Sequence, residues 1–192
     1  MSARESLIAA TIDLVRRHGV AATGLAELIE RSGRSRRTIY LNFPEGKAEL
    51  VAAAVSAAGA AAAQMIRSFA EKPTVGAAFA AFADTWTQVL TDSGFTAGCP
   101  IVAATLGRSD APEAADAAGE AFRDWETILA TRLQEDGVAQ EAAQSLATTI
   151  IAATEGAVIM SLAARSTAPL ERTSQQIATL IEHQLRAGAP AV

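Results

Sequence analysis

The chain has 192 residues, half of them apolar, with 5% aromatic residues, one cysteine and a net charge of -5. That length and apolar share suffice for a buried core, and abundant alanine beside few aromatic or β-branched residues favours helix over sheet. The lone Cys99 excludes an intrachain disulfide framework. No signal-peptide pattern and no uninterrupted apolar stretch of spanning length stand out, so a cytoplasmic protein without a membrane segment is expected.

Helix signals run along nearly the whole chain. Ser2 and Glu5 have capping-box spacing, and Leu7, Ile8, Thr11, Ile12, Leu14 and Val15 then recur at helical intervals, up to a stop at His18-Gly19. A short second helix follows Thr23-Gly24, with Leu25, Leu28 and Ile29 on one face. Residues 32–35 form a turn, and Ser35 caps a third short helix through Tyr40. The run Asn42-Phe43-Pro44-Glu45-Gly46 breaks the chain. From Lys47 a long helix is predicted to about Ala70, with Val51, Val55, Ala58, Ala62, Met65 and Phe69 in one narrow apolar seam.

Thr74 opens a fifth helix carrying Phe79, Phe82, Trp86, Val89 and Leu90, and Pro100 occupies the first turn of a short sixth. Asp110-Ala111-Pro112-Glu113 starts a seventh through Trp125 and Leu133, stopped by Asp136-Gly137. The last two helices span roughly 139–165 and 169–187. The first carries a broad stripe of Ala143, Leu146, Ala147, Ile150, Ile151, Thr154, Ala157, Val158 and Leu162; the second carries Ile177, Leu180, Ile181 and Leu185. The expected fold class is all-α, about nine helices, with a three-helix domain at 1–46 and a helical domain at 47–192.

Residues 25–40 have the form of a helix-turn-helix: an amphipathic helix, a glycine turn at Gly33 and a second short helix. Its outer face offers Arg34, Ser35, Arg36, Arg37 and Thr38, side chains able to bond base edges or phosphates in a major groove. Residues 1–50 hold eight basic and six acidic residues, a net of +2, and the remainder carries -7. A small basic head on an acidic body is the charge pattern of a nucleic-acid reader. The plainer alternatives are a solvated arginine cluster and a helical hairpin without a partner.

The wider stretch resembles the DNA-binding domain of the tetracycline-repressor (TetR) family. The matching features are Ile8-Ala9-Ala10 to Gly19, Thr23, Leu28-Ile29 to Ser32-Gly33, Ser35, Thr38-Ile39-Tyr40, Asn42-Phe43 and Lys47-Ala48-Glu49-Leu50. The resemblance implies that Thr23, Arg34, Ser35, Arg36, Arg37, Thr38, Tyr40, Asn42 and Lys47 bind DNA, with Tyr40 and Lys47 on the phosphate backbone. Arg34, Arg36-Arg37 and Leu41 depart from residues usual in the family, so operator sequence does not follow from precedent. Gly98-Cys99-Pro100, Phe122 to Trp125, Glu155-Gly156-Ala157 and Ala164-Arg165-Ser166 resemble the branch of lincomycin- and flavonoid-responsive repressors.

That resemblance implies a repressor that binds a palindromic operator as a homodimer, through the last two helices, and is released by a small apolar or aromatic effector. Its pocket would draw on Met65, Phe69, Phe82, Trp86, Cys99, Phe122, Trp125 and Met160. The tryptophans are favoured because a buried indole wants a polar partner. Asp84, Gln88, Thr105 and Glu155 are candidate orienting groups. For each of these residues a core or solvated role is the alternative. No catalytic set, metal-ligand spacing or cofactor motif is present in the sequence, and an enzyme or small-molecule carrier on a helical scaffold is the competing reading.

Overall fold

The computed structural model describes residues 1–188. Among them are nine helices and no strand: α1 (Ala3–Ala22), α2 (Leu25–Ser32), α3 (Arg36–Asn42), α4 (Lys47–Ala70), α5 (Val75–Asp92), α6 (Pro100–Leu106), α7 (Pro112–Glu135), α8 (Gln140–Ala164) and α9 (Ala168–Gly188). The local signals place most boundaries. Ser2 and Glu5 form the reciprocal capping box, Thr74 accepts from the Ala77 N–H at 3.1 Å, and Pro100 opens α6. Gly19 takes φ +78 and interrupts α1, after which one more turn reaches Ala22.

Two compact units emerge, with two of their borders inside α4 and α7 and the third between α5 and α6. One holds Met1–Ala62 with Gly98–Phe122; the other holds Ala63–Ala97 and the chain from Arg123 on. In the first unit, Leu7, Ala10, Leu14, Leu28, Ile39, Phe43 and Leu50 form the core beneath α1, α2, α3 and the start of α4. The same unit seats α6 on α1. Arg16 Nε donates to the Gly98 carbonyl at 3.2 Å, and the Gly98 N–H donates back to the Arg16 carbonyl at 3.0 Å. Burial lowers the Arg16 pKa, with Asp13 acting in the opposite sense. At the far end of α6, a Cβ on Gly107 would lie 2.9 Å from Val20 Cβ, so a side chain there would force the two segments apart.

The seam expected on α4 is rotated. Val51 and Val55 are buried as expected, but their buried neighbours are Ala54, Gly59, Ala63 and Ile66, whereas Ala58, Ala62, Met65 and Phe69 are only half-buried. Alanine on every side of the helix gives little contrast, and a glycine that permits close approach decides the contact face instead. A Cβ at Gly59 would stand 2.7 Å from Ala121 Cβ of α7.

The second unit is built around Phe79, Leu133, Val138, Ala143, Leu146, Ile150, Ile177 and Ile181. A smaller cluster of Leu90, Ala157, Val158 and Leu170 is flanked by Trp86, Phe95 and Leu162. The α8 stripe therefore packs within the chain. Two helices, Lys47–Phe69 and Gln140–Ala164, reach the length and mean hydropathy of a membrane span by composition alone, although charged residues interrupt both. Alanine raises hydropathy without bulk, and in α8 the apolar residues already have an internal partner surface.

Candidate nucleic-acid interface

The turn between α2 and α3 is closed by glycine and started again by serine. Gly33 takes the left-handed φ of +64, and its N–H donates to the Ile29 carbonyl at 3.0 Å. Ser35 then caps α3: its Oγ accepts from the Thr38 N–H at 3.2 Å and lies 2.9 Å from Thr38 Oγ1. Ile39 is fully buried and anchors the inner side of α3. With about 100° between successive residues, Arg37 and Leu41 point most directly away from Ile39, with Tyr40 on one flank and Thr38 on the other.

The four clustered arginines split into two pairs. Arg31 forms a salt bridge with Asp13 of α1, which also accepts from Arg17 Nε at 3.0 Å. Arg34 is half-buried and its Nη2 donates to Ser6 Oγ at 3.0 Å, so it braces the turn against α1. Arg36 and Arg37 are exposed, and neither enters a salt bridge among the described residues. The Arg36 guanidinium carbon lies 5.9 Å from the centre of the Tyr40 ring. Exposed guanidinium groups with no internal acid are available to phosphates and guanine edges.

Tyr40 also lies against the residue that precedes the next helix. Gly46, at φ +77, precedes Lys47, and a Cβ there would meet Tyr40 Cε1 at 3.1 Å. The ring is thus held against the start of α4, where free backbone N–H groups, the half-buried Lys47 and the phenol gather. The Glu45 N–H is occupied by Glu49 at 3.0 Å. Two expected contact residues are differently used. Thr23 is fully buried, with its hydroxyl donating to the Gly19 carbonyl at 2.8 Å, so its side chain has no outward surface. Asn42 Nδ2 donates to the Thr38 carbonyl at 2.8 Å and braces the last turn of α3.

Comparison with known proteins assigns this arrangement. Residues 7–54 match the family model for bacterial regulatory proteins of the tetR family, and residues 76–176 match the transcriptional regulator LmrA/YxaF-like C-terminal domain. The chain belongs to the TetR family of transcriptional regulators. An uncharacterised HTH-type transcriptional regulator of Mycobacterium tuberculosis is 31% identical over 189 residues, covering 95% of each chain. The HTH-type transcriptional regulator LmrA of Bacillus subtilis is 28% identical, covering 93% of this chain and 96% of its own. In fold, a TetR transcriptional regulator from Legionella pneumophila superposes with a TM-score of 0.84 at 20% identity, covering 94% of this chain and 97% of its own. The family is one of DNA-binding regulators, not enzymes, which removes the competing enzymatic reading.

The regulator's expected effector residues are divided between the units. Cys99 and Phe122 fall in the first; Met65, Phe69, Phe82, Trp86, Trp125 and Met160 fall in the second. Within the second, Phe82 joins Phe69 and Phe79 at ring-centre distances of 6.1 and 6.2 Å, and Trp125 is buried. Met160 does not share this interior: it is 60% exposed on the outer side of α8 beside exposed Ile159. Gln88 donates to Asp92 at 2.6 Å, Thr105 donates to the Ile101 carbonyl at 3.0 Å and Asp84 is exposed, so local bonds or solvent occupy three expected orienting groups.

Sequence reasoning gave no special role to the buried hydroxyl of Thr154 and passed over that of Ser161. Both lie on the inner side of α8 and have no hydrogen-bond partner among the described residues. Seven-residue spacing puts them on one face, yet only packing shows that this face is interior. Cys99 is buried as expected of a small core side chain, and the fold brings Arg16 within electrostatic reach of it.

A shallow groove on the opposite side of α8 is lined by Thr149 and Ala153 together with Arg172, Thr173, Gln176, Ile177 and Leu180 of α9. Gly156 continues this side, with open space where its Cβ would stand.

Proposed function

We propose that this regulator is a repressor that binds a palindromic operator as a homodimer in the cytoplasm and is released by a small apolar or aromatic molecule. The observation that carries the DNA contact is that Arg36 and Arg37 are exposed and enter no salt bridge among the described residues, Arg37 on the side of α3 away from Ile39 and Arg36 beside the Tyr40 ring. In this reading Arg37 reads base edges, while Arg36, Ser35, Tyr40 and Lys47 hold phosphates. Arg34 and Asn42 act by bracing the reading helix. The functional division is the one expected from sequence, a reader at 1–46 and a sensing and dimerising body at 47–192.

The dimer forms through the outer sides of α8 and α9, around Gly156, Met160 and Leu180. This replaces the stripe at 143–162, which the chain's own core uses. Two-fold symmetry then presents the two α3 helices about 34–36 Å apart, one turn of DNA. The effector lies among α5, α8 and the parts of α4 and α7 in the second unit, against Phe69, Phe82, Trp86 and Trp125. The hydroxyls of Thr154 and Ser161 offer it hydrogen bonds, because buried polar groups without partners gain by acquiring them. Since α4 is one uninterrupted helix from Lys47 to Ala70, a ligand that binds one setting of its far end more tightly biases the setting of Lys47.

The deciding experiment selects bound sequences from random DNA with the full chain. A repressor of this kind recovers an inverted repeat whose binding weakens steeply with salt and is released by effector. Specific binding that survives Arg36→Ala combined with Arg37→Ala would overturn the assigned face.

A further inference from the structure

The outer side of α3 carries one residue that the polar reading leaves unused. Leu41 is 70% exposed, lies about 200° around the helix from buried Ile39, and so stands beside Arg37 at the centre of the presented surface. Single exposed leucines are common and need no explanation by themselves. Leu106 is 79% exposed on α6 and serves as a comparison. Leu41 differs because its place is fixed by the same geometry that presents Arg37, one helical turn earlier on the same line. A helix face that enters a major groove at this point sets an apolar side chain against base edges. The one apolar group displayed there is the thymine C5-methyl.

We propose that Leu41 is a specificity-determining residue that packs on a thymine methyl in each half-site. This rests on α3 being the reading helix. Four residues of helix advance about 6 Å, and base pairs are stacked at about 3.4 Å. The thymine therefore lies within about two base pairs of the base bonded by Arg37. No hydrogen bond is involved; the discrimination comes from removing one methyl and the leucine side chain from water together.

The test uses the full chain and its selected operator, with deoxyuridine replacing each thymine in turn, so that only the methyl is lost. At one thymine per half-site, uracil weakens wild-type binding by about four-fold, the value of one buried methyl-sized group. Replacement in both half-sites weakens it by about fifteen-fold. Leu41→Ala binds more weakly and becomes indifferent to uracil at that position. Leu106→Ala keeps the full wild-type sensitivity. Because Leu41 is exposed, helicity and thermal unfolding of Leu41→Ala stay as in wild type. A wild type indifferent to uracil everywhere, or a Leu41→Ala variant with undiminished sensitivity, overturns the proposal while leaving the repressor reading intact. Failure to select any DNA site overturns both.

Discussion

The outer side of α3 and the outer sides of α8 and α9 are both left uncovered by a single chain, and they differ in kind. On α3 the exposed groups are mostly charged or polar, and buried Ile39 beneath them leaves no doubt which way the helix faces. On α8 both sides are apolar: Ala143, Leu146, Ile150, Ala157 and Val158 are buried, while Ile159 and Met160 are exposed. A polar surface with an apolar underside can be oriented from sequence. A helix that is apolar nearly all round cannot, because either side could serve as the inner one.

The largest expected effect comes from separating the two sides of α8. Gly156→Leu points into open space in the single chain. It should leave the subunit folded but monomeric in light-scattering measurements, with operator affinity down on the order of 100-fold, about 2.7 kcal/mol. On the other side of the same helix, Ile150→Ala removes buried core, costing about 2–5 kcal/mol in denaturant unfolding while the subunits still associate. If Ile150→Ala instead separates subunits and Gly156→Leu does not, the sides have been assigned in reverse.

The α3 surface is sharpened by comparing arginines. Arg36→Ala with Arg37→Ala should weaken operator binding by on the order of 30-fold or more in anisotropy titrations, since one bidentate base contact is worth about 1–3 kcal/mol. Arg31→Ala, which loses only a pairing with Asp13, should change affinity less than about three-fold. Lys47→Ala should weaken all DNA sequences alike and lower the slope of log affinity against log salt by about one per contacted phosphate. Ser35→Ala, which removes the α3 cap, should cost about 1 kcal/mol in thermal unfolding.

Much of the fold was legible because its signals are local. Ser2, Ser35 and Thr74 cap the next turn of their own helices, and Gly33 closes α2 with a backbone that few other residues adopt. The site was legible to the same extent. Arg37 lies outward as its spacing from Ile39 requires, and Tyr40 on its flank, whereas Ser35 and Arg36 are exposed because they stand at the open start of α3. The bracing bonds were not legible: Arg34 donates to Ser6, 28 residues away, and the Thr23 hydroxyl turns back to the Gly19 carbonyl. Neither partnership leaves a trace in periodicity.

The sequence by itself determined nine helices, their caps and the helix-turn-helix, since each depends on residues within about one turn of one another. Only the tertiary structure decided which of four neighbouring arginines remain unpaired, which line of α4 is buried against α7, and which side of α8 is left outward. Those outcomes depend on close approach between distant segments, at Gly59 and Ala121 or Arg34 and Ser6, and an alanine-rich chain does not mark such contacts in its pattern.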